Sequence, residues 1–199
     1  MIDNKISFSW KSPIITSKSL AGIPIGIENG LFQNILKQYL VDSENKIYEF
    51  KYSPALILDE YTLDDNGNGC YHFVLNDPKL TGRKNLSQLR DLFYSRVLNI
   101  LVVNNHIAAI KTWAFEVLDQ DDQKSAHSYM GKTKEGLGLY SPLIDFLNYS
   151  KLEFDEGESF FYTDDAYGNL EITGYGQTLE DYPDQVVMAI AVLDRKSVV

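Results

Sequence analysis

Residues 93–103 are rich in β-branched and aromatic side chains, Asn104-Asn105 follows, and apolar alternation resumes over 107–118 through Ile110, Thr112, Ala114 and Glu116. Asn tolerates the positive φ that a tight hairpin turn demands, and alternation is the period of a half-buried strand. The stretch therefore predicts a long β-hairpin. A buried helix across 88–102 is the alternative, because a short apolar run does not by itself separate the two states. A second hairpin signal lies just upstream. Residues 47–52 alternate, 55–62 continue apolar after Pro54, Asp64-Asp-Asn-Gly-Asn-Gly69 is a turn, and 70–75 form the returning strand. Whatever else this chain builds must dock on antiparallel strands.

The rest of the chain is read around that framework. Residues 5–10 alternate Ile6, Phe8 and Trp10 with serines, as a strand would, and Leu31, Phe32, Ile35, Leu36 and Tyr39 fall at helical spacing, which predicts a helix near 28–39. A polar loop follows Asn76-Asp-Pro78, with a short helical turn over 86–91. Residues 119–125 are a polar, acidic connection and the best boundary between modules. Beyond it, 131–165 reads as a unit with a Gly-rich entry, a short helix opening at Ser141-Pro142, an acidic turn and an aromatic strand. Strands are predicted at 151–154, 158–163, 169–173 and 185–193. Ala21-Gly-Ile-Pro-Ile-Gly26 ahead of Leu31 looks like a weaker copy of that entry. The expected architecture is α+β, with two related modules at 1–118 and 119–199, each a short helix packed on an antiparallel sheet, which could pack as one domain.

Charge is unevenly placed. The 199 residues carry a net charge of −10, yet residues 119–184 alone hold 15 acidic and 4 basic side chains, leaving 14 basic against 13 acidic elsewhere. Such a field repels nucleic acid and steers basic partners inward, although a solvated acidic face that only aids solubility is the plainer alternative. At 44% hydrophobic the chain buries a sizeable core. Its N-terminal residues lack a signal-peptide pattern and no apolar run approaches a membrane span, which predicts a cytoplasmic protein without a membrane partner. The single Cys70 agrees with a reducing compartment and excludes an internal disulfide.

No catalytic or metal constellation survives a check of spacing. Asp64, Asn66, Asn68 and Gly69 match the first half of a calcium loop, but Leu75 stands where the bidentate acid belongs and strands replace the flanking helices. Cys70 and His72 share one strand face, about 6–7 Å apart, in an apolar setting that suits a small hydrophobe and a satisfied histidine. None of His72, His106 and His127 has ligand spacing to another. Gly131-Lys132-Thr133 lacks the upstream glycine of a phosphate loop, having Ala126 there. No enzyme activity, cofactor or metal is expected.

The acidic third is interleaved with Phe154, Phe160, Phe161, Tyr162, Tyr167, Tyr175 and Tyr182, and alternation places Phe160 and Tyr162 on one face of their strand and Phe161 on the other. Exposed rings flanked by carboxylates suit a protein interface, where rings anchor and charges orient. The candidate partner-binding residues are Asp121, Asp122, Glu153, Asp155, Glu156, Glu158, Tyr162, Asp164, Asp165 and Tyr167. The entry, helix and strands, with Tyr129-x-Gly-Lys-Thr-x-x-Gly-Leu-Gly-Leu139, resemble the SmpA/BamE-like module found in tandem in β-lactamase-inhibitor-type proteins, and look like bacterial toxin immunity proteins. The resemblance covers about 131–193, and 21–75 loosely. Tyr140 stands where the pattern prefers Gly, and two extra residues precede Leu31. It implies a non-catalytic protein that blocks a partner with a sheet face. The expected function is an immunity protein that neutralises a cognate basic, nuclease-type toxin. A structural or adaptor protein of similar fold is the runner-up, and a hydrolase built on the clustered carboxylates is third.

Overall fold

The computed structural model describes residues 6–76, 96–114 and 128–194. The expected β-hairpins form. β5 (Leu56–Leu63) pairs with β6 (Gly69–Leu75), and β7 (Arg96–Val103) pairs with β8 (His106–Trp113) around Asn104 and Asn105, both at positive φ. The described part of 88–102 is thus strand, because its branched side chains suit a pleated surface.

Among the described residues a ten-stranded sheet starts with β3 (Leu40–Asp42) and β4 (Ile47–Tyr48), which lead into the β5–β8 meander. A second meander, β9 (Leu152–Asp155), β10 (Phe160–Thr163), β11 (Leu170–Thr173) and β12 (Ala189–Leu193), joins it where β12 pairs antiparallel with β8. The order is β3-β4-β5-β6-β7-β8-β12-β11-β10-β9, with β9 and β3 at the two edges. A separate two-stranded ladder, β1 (Ser19–Leu20) with β2 (Ile23–Pro24), lies in the N-terminal segment.

The inward face is a set of cross-strand apolar rows. One runs Phe154, Phe161, Ile172, Ile190, Thr112, Leu98, Phe73, Leu58. Phe8, Trp10, Leu20, Ile23 and Phe32 from the N-terminal segment and Tyr129, Leu143 and Phe146 from the C-terminal half join these rows in a single hydrophobic cluster. The helix α1 (Asn29–Leu36), extended by a 3-10 turn at Lys37–Tyr39, has only eight residues and would not be stable alone. It holds because Phe32, Ile35 and Leu36 are buried and because its polar side is bolted to the sheet. The Tyr71 hydroxyl donates to Asn29 Oδ1 (2.6 Å), and Gln33 Nε2 donates to Tyr71 Oη (2.9 Å) and Tyr61 Oη (2.8 Å).

Four expectations are corrected. The described residues are mostly β, with ten strands in one antiparallel sheet, and not a pair of α+β modules with a helix on each sheet. The stretch expected as the second helix is a six-residue 3-10 segment, Leu143–Asn148, preceded by an extended Pro142. Six residues do not recover the cost of nucleating an α-helix, and the Leu143 N–H bonds to the Gln185 carbonyl instead. The repeat finds no structural support either. Residues 21–26 run through the β1–β2 ladder, whereas 131–139 is a series of turns, and the flanking chain is tied to the N-terminal segment by Met130 N–H to Trp10 O (3.0 Å) and Ile14 N–H to Lys132 O (2.9 Å). Finally, residues 6–10 make no strand, only an isolated parallel bridge of Ser9 to Lys51, because this segment crosses the inward face as a cover. The helical turn expected at 86–91 and the acidic connection at 119–125 lie outside the described residues.

Candidate functional site on the outward face of the sheet

Strand pairing reveals what alternation alone hides. A row crosses eight strands on the outward face: Glu60, His72, Asn99, Lys111, Ala191, Glu171, Tyr162, Glu153. In an antiparallel sheet such neighbours have Cβ atoms about 5 Å apart, close enough to interact along the whole line. The row is polar at all but one position, opposite an inward face that is apolar.

At its centre Lys111 reaches from β8 over β12 to an ion pair and hydrogen bond with the Glu171 carboxylate on β11. The residue it crosses is Ala191, small enough to leave the path open. Its Nζ lies 3.7 Å from the centroid of the Phe160 ring and 4.5 Å from that of Trp113, both within cation–π range. The Lys111 and Glu171 side chains are only 14% and 16% exposed. Burial pulls the Lys111 ammonium below the usual lysine range, against the opposing pull of Glu171 and, more weakly, Glu158.

The row continues as a hydrogen-bond chain. With its amide oriented to satisfy both ends, Asn99 accepts from Trp113 Nε1 (3.2 Å) and donates to His72 Nδ1 (2.8 Å). That orientation leaves the His72 proton on Nε2, which faces Glu60 Oε2 at 3.8 Å; Arg96 approaches the same oxygen at 3.5 Å. Cys70, on the same face, lies 3.3 Å from Thr62 Oγ1, while His72 turns to Asn99. The arrangement therefore ties these groups to one another. Among the described residues no cluster of three or more His, Cys, Asp or Glu side chains is placed to hold a metal ion.

The predicted partner-binding residues divide by role. Glu153 is exposed on β9, and Glu156 and Glu158 are exposed in the β9–β10 turn. Tyr162 sits half-buried between Glu153 and Glu171 in the row. Asp155 closes that turn, its Oδ1 accepting from the backbone N–H of Gly157 (2.9 Å) and Glu158 (3.1 Å). Asp164 likewise binds the Lys151 N–H (2.8 Å) and Tyr167 N–H (2.9 Å), and these bonds hold its carboxyl below the usual range. Tyr167 is scaffold. Its ring packs edge-on to Phe146, its hydroxyl donates to Glu135 (2.8 Å), and burial pushes its pKa up to about 12. Asp165 is exposed in the following turn. Asp121 and Asp122 lie outside the described residues.

Asp64-Asp-Asn-Gly-Asn-Gly69 proves to be a turn that closes on itself, Asp64 Oδ1 accepting from the N–H of Asn66 (2.9 Å) and Asn68 (2.7 Å). Sequence reasoning missed Glu60, His72, Asn99, Lys111, Trp113 and Glu171 as one system, because register breaks inside the β5–β8 meander hide the row and only the pairing of β8 with β12 brings Glu171 to Lys111. Alternation had correctly set Phe160 and Tyr162 opposite Phe161, which packs on Phe154 with ring centroids 4.8 Å apart.

Among the described residues no helix is long and apolar enough to cross a membrane. No protein-family model matches the chain, and neither curated proteins nor solved structures give a match.

Proposed function

We propose that this chain is a binding protein that neutralises a basic partner, in the manner of an immunity protein facing its toxin. One observation carries the reading. At the β9 end of the sheet, Glu153, Asp155, Glu156 and Glu158 stand exposed beside the rings of Phe160 and Tyr162, on strands backed by the core. Carboxylates set around half-exposed rings suit a surface bearing Lys and Arg, with the rings as anchors and the charges as guides to encounter.

The test uses the protein encoded beside this chain, assayed for growth inhibition with and without co-expression of the chain, and for binding by calorimetry across a salt series. Glu153→Gln, Glu156→Gln and Glu158→Gln together leave the turn-closing Asp155 and Asp164 in place. The triple variant is expected to bind about tenfold more weakly at low salt, with a flatter salt dependence. Unchanged affinity would remove the acidic surface from the interface, and no binding by the unaltered chain would overturn the function.

A further inference from the structure

The two edges of the ten-stranded sheet are not equivalent. β3 has three residues and an irregular register in which Val41 is skipped between Leu40 and Asp42, a device that stops a ladder from growing. β9 pairs with β10 in unbroken register over all four of its residues, and among the described residues no strand lies on its other side. Alternate residues of such a strand turn their N–H and C=O groups to the open edge. Glu153 and Asp155 are exposed on its outward face, while Leu152 and Phe154 are half-buried on the inward face, packed on the core.

We propose that β9 is a docking edge that takes one added strand from the basic partner, an extended segment alternating basic and apolar residues. The inference rests on the function proposed above and specifies its geometry. A strand paired with β9 sets its own side chains directly opposite those of β9, with Cβ atoms about 5 Å away. Opposite Glu153 and Asp155 it must present Lys or Arg, and opposite Leu152 and Phe154 it must present apolar side chains that extend the inward face. A second copy of this chain is disfavoured as occupant, since Leu152-Glu-Phe-Asp155 paired with itself brings carboxylates face to face. Charge on an edge usually forbids all pairing. Here its single sign forbids the self-pair and admits the basic strand.

The test titrates the full chain with a peptide of about six residues alternating Lys and Val, followed by fluorescence anisotropy and by amide hydrogen exchange. Two further peptides carry backbone N-methyl groups on every second residue, one in each phase. Strand addition predicts salt-sensitive binding, slowed exchange confined to the amides of β9, and a loss of about tenfold or more for one methylated phase with the other close to the parent. Glu153→Lys is expected to reverse the preference towards a Glu/Val peptide. Equal behaviour of the two phases, whether both bind or both fail, overturns the proposal, as does absence of binding by the parent peptide. Loss of partner binding in the triple Gln variant alongside phase-independent peptide binding would leave the acidic surface in place and remove the added strand.

Discussion

A lysine that crosses a strand needs a low floor, and Ala191 supplies it. Its side chain is itself buried although it points to the outward face, because it lies beneath the span from Lys111 to Glu171. Ala191→Leu should force the Lys111 side chain off its path, at a cost of about 1–3 kcal/mol in urea unfolding. Glu171→Gln should cost about 2 kcal/mol, since it leaves a largely buried ammonium without its counter-charge. Replacing both partners by apolar residues, Lys111→Met with Glu171→Leu, should cost less than Glu171→Leu alone, because the penalty lies in the uncompensated charge. Asp164 makes a different prediction. Hydrogen bonds from Lys151, Tyr167 and Ser150 hold its folded carboxyl below the unfolded value of about 3.9. Its contribution to stability is therefore complete above that value and is lost as pH falls through the folded one. Urea midpoints between pH 2 and 5 should fall less steeply for Asp164→Asn than for the parent, and parallel curves would deny the carboxylate this role.

The elements that matter most at the next scale are two turns that dock on each other. Asn105 N–H donates to the Gly67 carbonyl (2.8 Å), Asn104 N–H donates to Asn68 Oδ1 (2.9 Å), and Asn29 N–H, in the first turn of α1, donates to the Asn105 carbonyl (2.8 Å). Gly67 has φ +77°, and a Cβ there would lie 2.6 Å from the Asn105 side chain. Gly67→Ala should therefore cost more than about 1 kcal/mol, and the exchange of α1 amides should accelerate with it because the helix start hangs on the same turn. Both turns are legible in the sequence, as paired Asn and as an Asp/Asn/Gly run, and so are most strands. Their mutual docking is not, because nothing local encodes which turn meets which. The same limit hides the outward row. Extra residues at Asp59, Val97 and Ala108 break the pairing registers, so alternation read along each strand loses count between strands. The second helix fails for a related reason. Leu143, Ile144, Phe146 and Leu147 have helical spacing, but Ile144 and Leu147 are exposed and the segment stops after six residues. At the candidate surface, the sequence marks where acid accumulates but cannot separate Glu153, which faces solvent, from Asp155 and Asp164, which close turns.

At the scale of the whole molecule, the pairing of β8 with β12 decides how the chain behaves. Five register pairs, from Ala189 with Trp113 to Leu193 with Ala109, join the two meanders. Beneath them one hydrophobic cluster contains Trp10, Phe32 and Phe73 from one side and Phe146, Phe161 and Ile172 from the other. The N-terminal cover ties in as well, with the buried Tyr129 hydroxyl donating to the Ser12 carbonyl and accepting from the Ala21 N–H (3.2 Å). Separate modules would unfold separately. A shared sheet and core should give one cooperative transition, with far-UV dichroism and tryptophan fluorescence coincident in urea. Ile190 is the place to strike, fully buried on β12 between Thr112 of one meander and Ile172 of the other. Ile190→Ala should cost about 2–5 kcal/mol and move the transitions of both meanders together. The readouts are fluorescence of Trp113 on β8 and Trp10 in the N-terminal cover for the first half, and hydrogen exchange of β10 and β11 for the second. A variant in which exchange at β10–β11 collapses while the tryptophan transition keeps its midpoint would show that the two halves fold independently across the β8–β12 seam.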